Sequence, residues 1–362
     1  MYILDLFAPG FLPWSITDVG GISEITVPGD TAYIVNNTGF HVYDVSTHNN
    51  PIYVGSLNET YYSANLAVAE GYAYITESQY GLRIIDIGDG TQPVEVGSFE
   101  VLGVTWQAQI SGSYAFTAHS KDGMIIVDVS NPARPTEVSQ FDTPGEAREV
   151  FVQGNHAYIA DDTGGLRIAD VTTPQTPMEI GVWDSVDVWR VAPEGQVAYI
   201  IEAIPNDPYW LRILDISNLS NPVEMGSLEL PGRAHKVVAR IDTLFIAADD
   251  AGLLVIDASD PNNPVEIGSY VAPDVYDVFI RDQYAFVAAA DPFGGLIILD
   301  ISDPTAPALS GQYSDPGFRP FHVYVEGDYA YLDEVNDDLH MFYIADPTSP
   351  MLLEEYRLPD FT

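Results

Sequence analysis

A short run of apolar residues that ends in aspartate recurs along the chain. Seven copies carry the aspartate, and an eighth run has Tyr343 in its place. The copies follow one another every 42 to 45 residues, which is too regular to arise by chance. The aspartates are Asp44, Asp86, Asp128, Asp170, Asp215, Asp257 and Asp300. The pattern therefore predicts a chain built from eight repeats.

Each repeat contains four short segments rich in Val, Ile and Tyr, separated by turns of Gly, Pro, Asn and Asp. In the fourth repeat the segments are Arg148–Val152, Ala157–Ala160, Leu166–Val171 and Met178–Trp183. Such segments are typical of β-strands, and no stretch has the spacing of an amphipathic helix. Four antiparallel strands in about 42 residues predict one blade of a β-propeller, whereas the repeats of a β-solenoid are typically shorter.

The predicted fold is all-β: an eight-bladed β-propeller of four-stranded antiparallel blades, forming a single domain over residues 18–362. Radial packing buries both faces of each blade, which explains why the strands are apolar on both sides. Residues 1–17 resemble the second half of a repeat, with a strand that ends at Asp5. They either supply outer strands that help to close the ring or mark a truncated blade.

The sequences of the repeats resemble those of a known family. Segments such as "GNHAYIAD", "GGLRIADV" and "GMIIVDVSNPARPTEV" resemble the LVIVD-repeat family of β-propeller proteins, and the likeness extends over essentially the whole chain. The family is mostly bacterial and archaeal. The resemblance implies an extracellular or cell-surface location and little about activity. The first residues, "MYILDLFAPG", lack the basic and apolar regions of a signal peptide.

Charge and composition exclude several classes of function. The chain has 13 basic and 53 acidic residues and a net charge of −40, which disfavours nucleic acid as a partner because phosphate binding needs clustered Lys and Arg. No apolar run reaches the ~20 residues of a transmembrane helix. The sequence has no cysteine, which removes disulfides, thiolate metal sites and cysteine nucleophiles. The common nucleotide-binding, serine-hydrolase and zinc-protease motifs are also absent.

The repeated aspartate suggests either chemistry or turn formation. Seven carboxylates spread around a ring do not converge on one reaction site, so we expect each to accept hydrogen bonds from the backbone of the following Pro-containing turn. Loops such as Asp161–Gly164 lack the spaced ligands of a calcium site and are expected to be turns. No cofactor is predicted. Calcium is the one cation considered, and its weak candidate ligands are Asp333, Glu334, Asp337 and Asp338.

Two adjacent positions at the start of each predicted first strand differ from repeat to repeat. First strands line the central channel of a propeller, so we expect a ligand site at this channel mouth. The second residue of each pair is polar or charged, and the first is aromatic in four repeats. The candidate ligand-binding residues are Glu24, Asn65, Trp106, Gln107, Arg148, Glu149, Trp189, Arg190, His235, Lys236, Tyr276, Asp277, Phe321 and His322.

The basic members of this set have two interpretations. In so acidic a chain, this basic cluster indicates a pocket for an anionic ligand, or it neutralises Glu24, Glu149 and Asp277 through ion pairs between blades. The cluster consists of Arg148, Arg190, Arg233, His235 and Lys236, with Arg319 just before the eighth first strand. The longer loop Ile201–Trp210 is expected either to form part of a rim or lid on the same face or to cover the edge of a blade.

Two functions remain open. The first is non-catalytic binding or scaffolding, with a protein, a glycan or a small anion held at the channel mouth and no catalytic residue. The alternative is a hydrolase or lyase that acts on an anionic or carbohydrate substrate at the same mouth. In that case Glu149, Asp277 or His322 acts as acid or base, and Arg190 or Lys236 holds the substrate anion.

Overall fold

The described part of the chain consists of strands and turns. A computed structural model describes residues 4–5, 22–36, 39–46, 52–57, 63–77, 81–185, 187–203, 208–290, 294–315, 317–334 and 338–357. They form eight antiparallel sheets, one for each repeat, and no described segment is a helix that could span a bilayer. The predicted eight-bladed propeller is confirmed.

Within each blade the strands follow one another in chain order from the centre outwards. Blades one and two contain β2 (Ile22–Thr26), β3 (Thr31–Asn36), β4 (Gly39–Asp44) and β5 (Ile52–Leu57), then β6 (Ser63–Ala69), β7 (Tyr72–Glu77), β8 (Gly81–Asp86) and β9 (Val94–Phe99). Blades three and four contain β10 (Gln107–Ser111), β11 (Tyr114–His119), β12 (Gly123–Asp128) and β13 (Thr136–Phe141), then β14 (Glu149–Gln153), β15 (His156–Ala160), β16 (Leu166–Asp170) and β17 (Met178–Trp183).

The second half of the ring repeats the same order. Blades five and six contain β18 (Val188–Glu194), β19 (Val197–Ala203), β20 (Tyr209–Asp215) and β21 (Val223–Leu230), then β22 (Lys236–Arg240), β23 (Thr243–Ala247), β24 (Leu253–Asp257) and β25 (Val265–Tyr270). Blades seven and eight contain β26 (Val275–Arg281), β27 (Tyr284–Ala289), β28 (Gly295–Asp300) and β29 (Ala308–Ser314), then β30 (Pro320–Glu326), β31 (Tyr329–Glu334), β32 (Asp338–Tyr343) and β33 (Met351–Arg357).

Blade six carries a fifth strand, β1 (Leu4–Asp5), from the beginning of the sequence. It pairs antiparallel with β22, with Leu4 opposite Ala239 and Asp5 opposite Val238. These two residues therefore lie against the innermost strand of the blade, whereas an outer position was considered from the sequence. The rest of the segment 1–17 lies outside the described residues, and its interpretation as a half-repeat stays a prediction.

The hydrophobic core is divided among the interfaces between neighbouring blades. Each of eight buried clusters draws its residues from two adjacent blades, as apolar strand faces on both sides require. The ring closes where blade eight meets blade one, and there the Tyr324 hydroxyl donates to the carbonyl oxygen of Val27 at 3.0 Å. The first strands of blades five and six pack less closely than those of the other neighbouring blades.

The outer strands approach the Pro-containing turn of the next blade closely, and most blades have a glycine at the point of contact. A Cβ at Gly268 would lie 2.4 Å from the carbonyl oxygen of Pro304, well inside van der Waals contact. Blade three has Ser139 at the equivalent position, and its hydroxyl donates to the carbonyl oxygen of Pro174 at 2.6 Å. This position of the fourth strand is therefore a contact between blades.

The expected role of the repeated aspartates is confirmed. Each accepts a hydrogen bond of 2.8 Å from the backbone N–H two residues later, at the start of the turn. Hydrogen bonds from the side chain and the backbone of Thr172, for example, lower the pKa of Asp170, since they favour the charged form. The seven aspartates therefore build the repeat.

Candidate functional site

The variable pairs lie at the same end of the first strands, as the sequence predicted. Asn65, Gln107, Glu149 and Asp277 share one geometry. The side-chain oxygen of each accepts a hydrogen bond from a backbone N–H on the first strand of the next blade. The bonds are Ala108 N to Asn65 at 3.3 Å, Val150 N to Gln107 at 3.3 Å, Val191 N to Glu149 at 2.9 Å and Val323 N to Asp277 at 2.8 Å. These four residues are called the interblade belt below.

Lys236 joins the interblade belt through an ion pair. Its Nζ lies 2.9 Å from Oδ1 of Asp277, and both side chains are buried. Asp277 therefore connects blade seven to blade six through Lys236 and to blade eight through the N–H of Val323. For Lys236 the geometry favours the neutralising interpretation. The side chain of Glu24 lies outside the described residues, and its role stays a prediction.

The first members of the pairs form an arc of rings and cations across blades three to eight. The guanidinium of Arg148 stacks between Trp106 and Trp189, at 5.6 and 4.8 Å from the ring centroids. Arg233 lies 5.8 Å from the same Trp189 ring. The arc continues with His235 against Tyr276 and Tyr276 against Phe321, both at 4.9 Å between centroids. The structure thus brings six of the predicted aromatic and basic residues into contact.

Arg148 is neutralised within this arc. Its Nε donates to Oδ2 of Asp162 at 2.9 Å, and Nη2 also lies 3.8 Å from Oε2 of Glu146. Because a carboxylate and two indole rings hold its guanidinium, Arg148 is a fixed wall residue of the arc.

A cavity opens between blades five and six, where the first strands pack less closely. It is largely open to solvent, and its enclosed part has room for about one water molecule. Three of the predicted ligand-binding residues line it, together with Arg233 and with Tyr209 at the start of β20. The lining residues are Trp189, Arg190, Ile201, Ala203, Tyr209, Arg233, Ala234 and His235. This space is called the interblade cavity below.

The loop before β20 contributes to the cavity in part. Tyr209 lines the cavity, whereas Trp210 lies over the guanidinium of Arg212 at 4.7 Å, on blade five itself. Of the two aromatic residues, the structure therefore places only Tyr209 at the cavity. Residues 204–207 lie outside the described part of the chain, so the predicted rim or lid stays a prediction.

Positive charge collects around the interblade cavity. In the described part of the chain, no carboxylate oxygen lies within 4.0 Å of the Arg233 guanidinium; Asp249 attracts it from farther away. Burial lowers the pKa of Arg233, but an arginine remains a cation at neutral pH. Burial also lowers the pKa of His235, whose Nε2 is 3.6 Å from Oδ1 of Asp249, so its imidazole is neutral at pH 7.

Glu149 supplies the carboxyl group that faces Arg190. Its Oε1 lies 4.0 Å from Nη1 of Arg190, and Oε2 accepts from the N–H of Val191. Burial raises the pKa of Glu149 to about 7, against the opposing effects of Arg190 and the Val191 N–H. At neutral pH the carboxyl group is therefore partly protonated and cancels only part of the Arg190 charge.

Asp333, the first of the calcium candidates, is buried near the end of β31, the second strand of blade eight. Its Oδ1 accepts from the N–H of Phe321 at 3.0 Å and of His322 at 2.6 Å, and its Oδ2 faces Nδ1 of His322 at 2.5 Å. Asp337 and the side chains of Glu334 and Asp338 lie outside the described residues. Within the described ranges no three acidic, His or Cys residues are grouped as metal ligands, and the calcium site stays a prediction.

The three proposed acid–base residues occupy separate contacts. Glu149 joins blades four and five, Asp277 joins blades six to eight, and His322 pairs with Asp333. Each carboxylate has a structural partner, and nothing in the geometry of the described residues pairs one of them with another as acid and base.

One repeated arrangement was missed by the sequence analysis. In blades two, four and five an arginine on the third strand lies between a buried acid at the end of the second strand and a glutamate on the fourth. The sets are Glu77–Arg83–Glu95, Asp161–Arg167–Glu179 and Glu202–Arg212–Glu224. Blades six and seven have Leu254 with Ala248 and Ile297 with Ala289 at the equivalent positions. This co-variation among the repeats was visible in the sequence.

Comparison with known proteins supports the fold. The model of a family described as LVIVD repeat matches residues 20–59, 62–101, 102–143, 144–185, 187–229, 231–272, 273–315 and 321–357. Comparison with curated proteins gives no match.

Three solved structures are similar over most of this chain. The computationally designed protein Ika8 has a TM-score of 0.70 at 12% identity, with 90% of this chain and 97% of that chain covered. BamB from Moraxella catarrhalis has a TM-score of 0.66 at 14% identity, with 89% and 94% covered. Apo AztD from Citrobacter koseri has a TM-score of 0.64 at 13% identity, with 94% and 96% covered. At such identities the likeness concerns the fold alone.

Proposed function

The chain belongs to the LVIVD repeat family, and from that premise we propose that it is a non-catalytic binding protein that takes a small anionic ligand in the interblade cavity. The observation that carries this proposal is Arg233, a half-buried cation with no carboxylate within 4.0 Å in the described part of a chain whose net charge is −40.

Charge is the first argument. Arg83, Arg148 and Arg212 each face a carboxylate at 3.1 Å or less. Arg233 instead faces Arg190 across a cavity, and the two repel each other. An anion placed between them removes this repulsion and gains charge-assisted hydrogen bonds from both guanidinium groups.

Shape is the second argument. The enclosed part of the cavity has room for about one water molecule, so it admits no more than the charged group of a ligand, and the rest of the ligand lies at the open mouth. Trp189 and Tyr209 add aromatic surface at the wall of the cavity. A carboxylated sugar, free or at the end of a glycan, combines both requirements and is the ligand class that we propose.

The partner and the location are part of the same proposal. A ligand of this class is presented by glycans and glycoproteins, so the partner proposed is a glycan or a protein that carries one. A location outside the cell or at its surface agrees with this chemistry and with the family resemblance.

The proposal is tested by replacing one cation. The variant Arg233→Gln is compared with Arg134→Gln, which removes the same charge from an exposed turn of blade three. Glucuronate and sulfate are titrated into each protein by isothermal titration calorimetry. Loss of a charged hydrogen bond should weaken glucuronate binding roughly tenfold or more in Arg233→Gln.

Arg134→Gln is the matched control and should bind as the unmodified protein does. Thermal unfolding of both variants checks that the fold is intact. If neither anion binds the unmodified protein, or if both variants bind equally well, the interblade cavity is not an anion site.

A further inference from the structure

The interblade cavity is connected to a buried carboxyl group through Arg190. The Arg190 side chain lines the cavity, and its Nη1 also lies 4.0 Å from Oε1 of Glu149. Glu149 itself does not line the cavity and is only 3% exposed. A ligand anion and the Glu149 carboxylate therefore compete for the same positive charge.

We propose that binding of an anion in the interblade cavity is coupled to protonation of Glu149, whose Oε1 takes up a proton from solvent as Arg190 turns its charge to the ligand. This inference rests on the anion site proposed above and adds its regulation. Ligand affinity then depends on pH around neutrality, although neither the ligand nor either arginine titrates there.

Few groups around Glu149 can stabilise its negative charge. On the next blade it faces Arg190 and the N–H of Val191. Its partner across the sheet is Ala160, which is uncharged, and Gln107 of the preceding blade is occupied by the N–H of Val150. Because Oε2 accepts from Val191, Oε1 is the oxygen that is free to hold the proton.

The direction of the linkage follows from electrostatics. Burial raises the pKa of Glu149 to about 7, and the Arg190 charge is what opposes a further rise. An anion beside Arg190 weakens that opposition, so the pKa is higher in the bound state than in the free state. A ligand binds more tightly to the state that holds the proton, and affinity therefore rises as the pH falls. A rise of one pKa unit corresponds to about a fivefold gain in affinity between pH 8 and pH 6.

His235 is the other titratable group to consider, because its imidazole lines the cavity and faces Asp249. A bound anion also favours its protonated form. The experiment must therefore separate a proton on Glu149 from a proton on His235. Asp249 and Tyr209 lie on the His235 side of the cavity and act on Arg233 and His235.

Calorimetry with two cationic buffers of different ionisation enthalpy counts the protons taken up at pH 7. Glucuronate and sulfate are suitable probes because neither titrates between pH 6 and pH 8. The unmodified protein should take up a fraction of a proton on binding and bind about fivefold more tightly at pH 6 than at pH 8.

Glu149→Gln keeps an acceptor for the Val191 N–H and removes the titrating group. It should bind without proton uptake, and its affinity at pH 8 should match or exceed that of the unmodified protein at pH 6. His235→Asn should keep the proton uptake. Uptake that persists in Glu149→Gln, or that disappears in His235→Asn, overturns the assignment to Glu149.

Two further outcomes separate this inference from the proposed function. Binding of a probe to the unmodified protein without proton uptake overturns the linkage and leaves the anion site standing. Failure of both probes to bind overturns the anion site and the linkage with it.

Discussion

At the start of each first strand, a single side chain decides how two blades are joined. The oxygens of the interblade belt satisfy backbone N–H groups of the next blade, which carry a cost of about 1–3 kcal/mol each if buried without a partner. The variation between repeats predicted that these positions have a role of their own. It did not distinguish a side chain that faces a ligand from one that faces the neighbouring blade, because the two orientations differ only in tertiary structure.

At Glu149 the acceptor is a carboxyl group, and burying its charged form lowers the stability of the folded protein. Its pKa is raised to about 7 from an ordinary value of 4.5, so the folded protein binds more protons than the unfolded chain between these pH values. Stability contributed by the protonated form is then lost as the pH rises from 4.5 to 7. Over that range the loss amounts to about 3 kcal/mol.

Glu149→Gln removes this dependence. As the pH is raised from 4.5 to 8, the free energy of unfolding of the variant should rise by about 3 kcal/mol relative to that of the unmodified protein. Denaturant titrations across this range provide the measurement, with the exposed Glu137→Gln as the control that should show no such gain. A constant difference between Glu149→Gln and the unmodified protein at all pH values would contradict the effect of burial.

At the scale of the blade, the arginine sets tie the second, third and fourth strands together. In blade five, Nε of Arg212 lies 2.6 Å from Oε2 of the buried Glu202, and its Nη1 lies 3.2 Å from Oε1 of Glu224. Blade six fills the same space with Leu254 and Ala248, which carry no charge. The fold therefore accepts either an ion pair or an apolar pair at this place.

A double-mutant cycle tests this equivalence. Arg212→Leu alone leaves the Glu202 carboxylate buried without its cation and should lower the free energy of unfolding by roughly 3–5 kcal/mol. The double variant Arg212→Leu with Glu202→Ala reproduces the arrangement of blade six and should recover most of that loss. Losses that simply add in the double variant would show that the two residues are not coupled.

At the scale of the whole molecule, the large negative net charge affects the stability of the fold. A net charge of −40 creates self-repulsion that opposes the compact state, and dissolved salt screens it with a Debye length of about 30 Å at 0.01 M and about 8 Å at 0.15 M. The local positive charge at the interblade cavity is an exception within this field.

Salt should therefore stabilise the protein. Raising sodium chloride from 0.01 to 0.15 M should increase Tm by up to about 2 °C, since roughly 1 kcal/mol of relieved repulsion shifts Tm by about 2 °C or less in a chain of this size. Tetramethylammonium chloride should have a similar effect, because screening depends on ionic strength. A rise produced only by micromolar calcium would point instead to a specific cation site, such as the one predicted at Asp333.

The repeats predicted the ring because strand formation, turn formation and burial on both faces depend on local sequence. Asp170 and its equivalents, for example, bond to the backbone only two residues away. The candidate site was predicted in part: Trp189, Arg190 and His235 line the cavity, whereas Lys236 and Asp277 neutralise each other.

The sequence by itself determined the number of blades, their strand order and the turn chemistry, because each of these recurs with the period of the repeat. The tertiary structure alone decided which of the variable side chains face a neighbour and which face a cavity. That choice depends on residues about 42 positions apart and on the looser packing between blades five and six, and neither is encoded within one repeat.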